Sequence, residues 1–177
     1  GDVYKRQTHE RYLGRLVVRE IKKKGQRVLP DHMLFSSTPP LEALKALCSL
    51  MVTLKVGRTS RKSYSLKLFD ISRAHFYGEP KRRVFVTLPE GDEEEGCCAL
   101  LKRTMYGAQD ASAIWQGDYT ELLISSGFRR GSANSSIFYQ PEWDVRVRVH
   151  GDDFVCLGDT DGLERTEELL SSRYDYK

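Results

Sequence analysis

The stretch VRVRVHGDDFVCLG, residues 145–158, constrains the fold of this chain more than any other. Val145, Val147 and Val149 alternate with Arg146 and Arg148, the period-two pattern of a strand with one apolar and one basic face. Phe154 to Leu157 forms a second apolar run. Gly151-Asp152 between the runs is a two-residue link with glycine first, which favours a type II′ hairpin turn. Arms this apolar need a sheet and a core around them. The tip then holds Asp152 and Asp153 side by side, and their repulsion and desolvation are unfavourable unless a cation joins them.

Adjacency alone is weak, because twelve aspartates in the chain give about one neighbouring pair by chance. A second stretch strengthens the signal. YSLKLFDI (64–71) also alternates, so Leu66, Leu68 and Asp70 share a face, and Asp70 is expected to continue a core-facing stripe. If the two strands are neighbours, three carboxylates converge. Hard oxygen donors suit Mg²⁺, and two such ions can activate an attacking oxygen and stabilise a leaving one in phosphoryl transfer.

The remaining pattern supplies helices for such a sheet. RYLGRLVVRE (11–20) predicts a strand, followed by a turn at Gly25. Thr38 reads as an N-cap before Pro39-Pro40, with Leu41, Leu44, Leu47, Met51 and Leu54 as the helix stripe and Gly57 as its end. YGEPKR predicts a turn, RVFVTLP a short strand and EGDEEEG a solvated acidic loop. A second helix carries Ala111, Ile114, Trp115, Tyr119, Leu122 and Leu123 and closes at Gly127. SSIFYQ is a short strand, and DGLERTEELLSSRY a final helix. The order implies an α+β fold, an antiparallel sheet with helices on one face.

At 40% hydrophobic and 30% charged, the chain is neither disordered nor membranous, and no apolar run approaches a bilayer span. A net charge of +3 does not by itself imply nucleic acid, but Lys22-Lys23-Lys24, Lys81-Arg82-Arg83, Arg129-Arg130 and Arg146/Arg148 are separate basic clusters. Cys48, Cys97, Cys98 and Cys156 lack metal-ligand spacing and read as reduced core or loop thiols of an intracellular protein. The opening GDVYKRQ (1–7) fits nothing downstream and reads as an adapter-derived scar.

Five blocks in order resemble the reverse transcriptase of copia-type LTR retrotransposons. RYLGRLVVRE resembles the family's Lys-Tyr-Lys-Ala-Arg-Leu-Val-Ala-Arg block, and LFSSTPPLEALKAL its Phe-Ser-Pro-Val and following helix. LFDISRAHFYGEPKRRVFVTLPEG resembles Asp-Val-x-x-Ala-Phe-Leu-x-Gly followed by Val-Tyr-Met-x-x-Pro-x-Gly. LKRTMYGAQDASAIW resembles Leu-x-x-Ala-Leu-Tyr-Gly-Leu-Lys-Gln-x-x-x-x-Trp, and VHGDDFVCLG the Tyr-Val-Asp-Asp hairpin.

The resemblance implies an RNA-directed DNA polymerase of the right-hand type. Fingers would be 8–38 and 78–110, and an incomplete palm 39–77 and 111–177, with an antiparallel sheet backed by helices and no thumb. Asp70, Asp152 and Asp153 would be the catalytic and metal-binding triad, with the Ile71 carbonyl beside them. Two Mg²⁺ ions, replaceable by Mn²⁺, would hold a dNTP and a primer 3′-hydroxyl. Arg15, Arg73, Ala74, His75, Tyr106, Gly107 and Gln109 match nucleotide-binding positions. The implied partners are an RNA or DNA template-primer, dNTP and the rest of a polyprotein, with integrase upstream and thumb and RNase H downstream. The chain departs from the family at His150 and Gly151, where an aromatic and an apolar residue are expected. It departs again at His75, where the family's gate against ribose is Phe or Tyr and where Phe76 follows. Two readings of other classes compete: an inert retroelement remnant, and a nucleic-acid-binding module without chemistry.

Overall fold

The computed structural model describes residues 17–20, 29–53, 63–88, 91–92 and 94–177. Of the strand expected over 11–20, residues 11–16 lie outside the described residues and 17–20 belong to no strand. The Gly25 turn, Leu54 and Gly57, Lys22-Lys23-Lys24, Arg15 and segment 1–7 also lie outside the described residues. The elements are α1 (Asp31–Leu34), α2 (Leu41–Val52), β1 (Ser65–Asp70), a 3-10 turn (Ala74–Tyr77), β2 (Phe85–Val86) and β3 (Ala99–Leu100). They continue with α3 (Ala111–Ser125), β4 (Arg129–Arg130), β5 (Ile137–Gln140), β6 (Val145–His150), β7 (Asp153–Gly158) and α4 (Thr160–Ser171). Five strands make one antiparallel sheet in the order β1-β7-β6-β5-β4, and β2 pairs with β3 separately. The fold is thus a mixed α and β arrangement around an antiparallel sheet.

Register divides the sheet into two working faces. Phe69 stands opposite Phe154, Val149 opposite Phe154 and Val147 opposite Cys156. With Phe138 and Ile71, this face meets Trp115, Tyr119 and Leu123 of α3 and Leu163 and Leu170 of α4. Each large apolar side chain fully buried there contributes about 1.5–3 kcal/mol. On the other face Val155 and Leu157 join Tyr64 and Leu66 against Leu44, Leu47 and Met51 of α2. Helices therefore cover both faces, not one. That explains the unbroken apolar run of β7, an interior strand with a core on each side.

The same geometry corrects the placement of Asp70. Phe69, 1% exposed, is the core residue of β1, whereas Leu68 is 69% exposed and Asp70 is exposed. The alternation over Leu66, Leu68 and Asp70 is real, but it marks the face that α2 covers only at the Leu66 end. The basic face expected on β6 also turns inward. Arg146 donates to buried Asp144 Oδ1 at 3.0 Å and lies 4.7 Å from the Tyr139 ring centroid. Asp144, at φ 50°, also accepts from the Tyr64 and Tyr139 hydroxyls. Removing one partner from such a buried charge costs about 3–5 kcal/mol. Arg148 is 8% exposed and reaches the Pro39 carbonyl.

Helix ends follow local chemistry with two corrections, both in α2. Pro40, not Thr38, precedes α2, without a side-chain cap, and the helix stops at Val52, where Thr53 bonds back to Ser49 O at 2.8 Å. Gly127, at φ +83°, lets Phe128 N reach Leu123 O at 3.0 Å and end α3 as expected. Asp159 caps α4 through Gly162 N at 2.9 Å. Buried Gln116 interrupts the apolar stripe of α3 for a reason: its Oε1 accepts from Ser37 N at 3.0 Å and its Nε2 donates to Ser136 Oγ at 3.0 Å. Asn134 completes this polar seam by donating to Thr38 O at 3.2 Å, so the 36–39 segment is fastened across α3.

No described helix is long and apolar enough to cross a membrane. Cys48, expected within an apolar pattern, is exposed with Cys97 and Cys98, whereas Cys156 is fully buried and burial pushes its thiol pKa well up. A thiol-titrating disulfide reagent is expected to react rapidly with three thiols of the native chain. The fourth should appear only in denaturant, and four rapid equivalents would contradict the packing of β7.

Candidate active site

The sheet pairing brings two of the three sequence-selected carboxylates face to face. Asp70, the last residue of β1, stands opposite Asp153, the first residue of β7. The backbone of Asp70 points the other way: its N–H donates to Lys177 O at 3.2 Å, and its carbonyl accepts from Lys177 N at 2.9 Å. Asp70 and Asp153 are therefore a non-hydrogen-bonded antiparallel pair, the type in which side chains approach most closely. Their Cβ atoms lie about 4.5–5.5 Å apart in such pairs, and like charges directly opposite are destabilising. Nothing in the packing requires aspartate at both places.

Asp152 is joined to the same strand end by backbone. Ile71, fully buried, donates its N–H to Asp152 O at 2.9 Å, and Ile71 also bridges to Tyr176. Asp152 occupies the hairpin turn after Gly151, whose φ of +66° suits the first position of a type II′ turn. A Cβ on Gly151 would meet nothing within 4 Å, so conformation rather than space selects glycine here. The Gly151 carbonyl accepts from Trp115 Nε1 at 2.8 Å. His150 stands across the hairpin from Asp153 and is exposed. The turn and His150 form one wall of a cleft of about 400 Å³ that His75, Ser37 and Ser112 also line.

Three hard carboxylates with no ion-pair partner among the described residues suit a hard divalent cation by donor chemistry. Among the described residues, however, no group of three acidic, histidine or cysteine side chains is closed tightly enough to hold one. The Asp70–Asp153 pair with adjacent Asp152 is thus a fitting donor set that is not drawn together around an ion.

The other expected site residues have varied surroundings. Arg73 takes the left-handed conformation, φ 56°, and its exposed side chain lies 3.8 Å from Asp175. Ala74 is buried in the main core. His75 packs edge-on against Tyr106, ring centroids 4.4 Å apart, and its buried Nδ1 has no hydrogen-bond partner among the described residues. Burial lowers the His75 pKa, opposed by the Ala111 backbone and the Asp152 charge. Tyr106 also touches Phe76, and its carbonyl accepts from Val18 N at 2.8 Å. Gly107, at φ +90°, faces the backbone of Val18, whose carbonyl oxygen would lie 1.9 Å from an added Cβ. Gln109 N donates to Glu20 Oε2 at 2.9 Å. Tyr106, Gly107 and Gln109 therefore dock the 17–20 segment, a structural task that their sequence alone does not reveal.

Two residues of consequence carry no local signal as site residues. Arg82 donates to Glu20 Oε2 at 2.6 Å and to Asp110 Oδ2 at 3.1 Å, so one member of a basic cluster is spent on an internal ion triad. Trp115 reads as core in sequence yet reaches the carboxylate turn. Neither contact leaves a periodic trace, because each joins residues distant in the chain.

Two consequences can be measured. Gly107→Ala combines a positive φ with a backbone collision and should destabilise the chain by at least about 2 kcal/mol in urea unfolding; an unchanged midpoint would contradict the Val18 contact. Because burial holds the His75 pKa below its ordinary 6.5, the unfolded chain binds its proton first as pH falls. The stability due to neutral His75 is therefore complete above the unfolded value and declines as pH drops below it. His75→Phe should flatten that decline in unfolding midpoints recorded from about pH 7.5 to 5.5, and an unaltered slope would refute it.

Residues 3–177 match the family model described as reverse transcriptase (RNA-dependent DNA polymerase). A curated relative, the retrovirus-related Pol polyprotein from transposon RE1 of Arabidopsis thaliana, is 25% identical over 136 residues. That alignment covers 73% of this chain and 9% of the relative, so the chain spans a small part of that polyprotein's length. No solved structure matches the chain.

Proposed function

The chain belongs to the reverse transcriptase (RNA-dependent DNA polymerase) family, and from that premise we propose that it is the fingers and partial palm of a copia-type RNA-directed DNA polymerase. The observation that carries this reading is the Asp70–Asp153 pairing, with Asp152 in the adjoining turn and bonded through its carbonyl to Ile71. Two like charges opposite one another at a strand end are unfavourable for folding alone, and a polymerase has a use for them.

In this reading Asp70, Asp152 and Asp153, with the Ile71 carbonyl, hold divalent cations, two Mg²⁺ or their Mn²⁺ substitutes. Bound there, the cations would supply charge neutralisation for a transferring phosphoryl group and lower the pKa of an attacking hydroxyl. The chain's own part is positional. The turn presents its carboxylates on a backbone fixed from two sides, and the primer 3′-oxygen displaces pyrophosphate from the α-phosphorus of a dNTP. Arg73 and Ala74 bring backbone groups toward the triphosphate, and Arg15 meets the incoming nucleotide from the fingers. His75 stands where it meets the sugar, backed by Tyr106, with Phe76 next to it. Gly107 and Gln109 act one step back, holding the 17–20 segment in place. Residues 8–38 and 78–110 form the fingers, and 39–77 with 111–177 the palm. The partners are an RNA or DNA template-primer and the remainder of a Pol-type polyprotein, including integrase, thumb and RNase H.

A nucleic-acid module without chemistry draws on the basic clusters. It is weakened by Arg146 and Arg148, which turn inward, and by Arg82, which is engaged with Glu20 and Asp110. An inert remnant has no need of the opposed aspartates. The deciding experiment extends the chain with the downstream sequence of its own reading frame and measures Mg²⁺-dependent DNA synthesis on an RNA template. Asp70→Asn and Asp152→Asn should each lower the rate at least about 100-fold. Equal synthesis by the substituted proteins would falsify the assignment.

A further inference from the structure

We infer that Trp115 is a positioning residue for the carboxylate turn, acting through its indole N–H on the Gly151 carbonyl; the consequence for cation binding rests on the function proposed above. The peptide groups on either side of the Asp152 α-carbon are both held. The one before it, through Gly151 O, is bonded by Trp115 Nε1 at 2.8 Å. The one after it, through Asp152 O, is bonded by Ile71 N at 2.9 Å. Fixing both peptide planes fixes φ and ψ of Asp152, and with them the direction in which its carboxylate leaves the turn. One restraint comes from β1, the strand that carries Asp70. The other comes from α3, an element with no acidic residue in its first turn and no pairing to the hairpin.

The turn needs this second restraint. Gly151 has no side chain to pack, and among the described residues beyond its two chain neighbours no atom stands within 4 Å of where one would begin. Trp115 is itself immobilised. It is 2% exposed, with Tyr174 and Tyr119 rings edge-on at 5.0 and 5.4 Å and Phe154 at 6.3 Å. A phenylalanine would fill much of that space, but it could not donate. A buried indole N–H is placed where it finds a partner, and here that partner is the carbonyl immediately before the candidate ligand.

The test separates the N–H from the packing. In one variant Trp115 becomes phenylalanine. In a second, a benzothiophene side chain at 115 keeps the bicyclic shape and lacks only the donor. Tyr174→Phe, which removes a hydroxyl bonded to Asp118 in the same aromatic cluster, is the control for general loosening. Native-state hydrogen exchange is followed at the Ile71 amide and the turn, and Mn²⁺ binding is measured by paramagnetic resonance. Both Trp115 variants should speed Ile71 exchange and weaken Mn²⁺ binding, each about tenfold, the scale of lost outer-shell support. The control should do neither. Exchange that rises equally in the control, or not at all in the benzothiophene variant, overturns the inference. If Asp70→Asn and Asp152→Asn leave Mn²⁺ binding unchanged, the proposed cation site fails instead, and exchange alone decides for or against the restraint.

Discussion

The pairing of β1 with β7 is the constraint on which the rest of the structure depends. One register sets Phe69 against Phe154 inside the main core and Asp70 against Asp153 at the sheet's end. The two consequences are inseparable, because side chains alternate with a period of two and a slip of one residue exchanges the faces. Such a slip would drive Asp70 into the aromatic cluster beneath α3 and expel Phe69. The hydrophobic core thus enforces the meeting of two carboxylates whose mutual repulsion opposes it. Burial of several large apolar groups at about 1.5–3 kcal/mol each exceeds a cross-strand repulsion of about 0.2–1 kcal/mol.

How far the sequence discloses this arrangement depends on the length of each pattern. The β6–β7 hairpin was legible because its arms are long, alternate or run apolar, and meet at a glycine-first link. The α3 stripe and its Gly127 terminus were legible for the same reason. Two-residue strands such as β3 and β4 have too few positions for any period, so they emerge only from pairing. Alternation places Asp70 in the right strand but on a core face that it does not occupy. Leu68 continues the stripe toward Asp70 yet is exposed, while a single neighbour, Phe69, carries the core contact. Thr38 looked like a helix cap, but the segment around it is committed to the Gln116 and Asn134 seam.

The candidate site shows a similar division. Asp152 and Asp153 are conspicuous locally, and Asp70 becomes so through alternation. The tasks of Tyr106, Gly107 and Gln109 are invisible locally because they serve Val18 and Glu20, far away in the chain. The basic face of β6 misled for a physical reason. The Arg146 guanidinium is drawn inward by partners distant or adjacent in the chain, the Asp144 carboxylate and the Tyr64 and Tyr139 rings, which alternation alone does not reveal.

The exchange of backbone hydrogen bonds between Asp70 and Lys177 has a kinetic consequence. A chain emerging from the ribosome grows at about 5–20 residues per second and folds its N-terminal parts first. The outer side of β1 at Asp70 stays open to water until residue 177 has been made and has left the exit tunnel. Long-range contacts of this kind are paid for in loop closure before they return any stability. The strand bearing the first carboxylate is therefore completed only once residue 177 is available, so a nascent chain passes through a stage with its core started and its site unfinished.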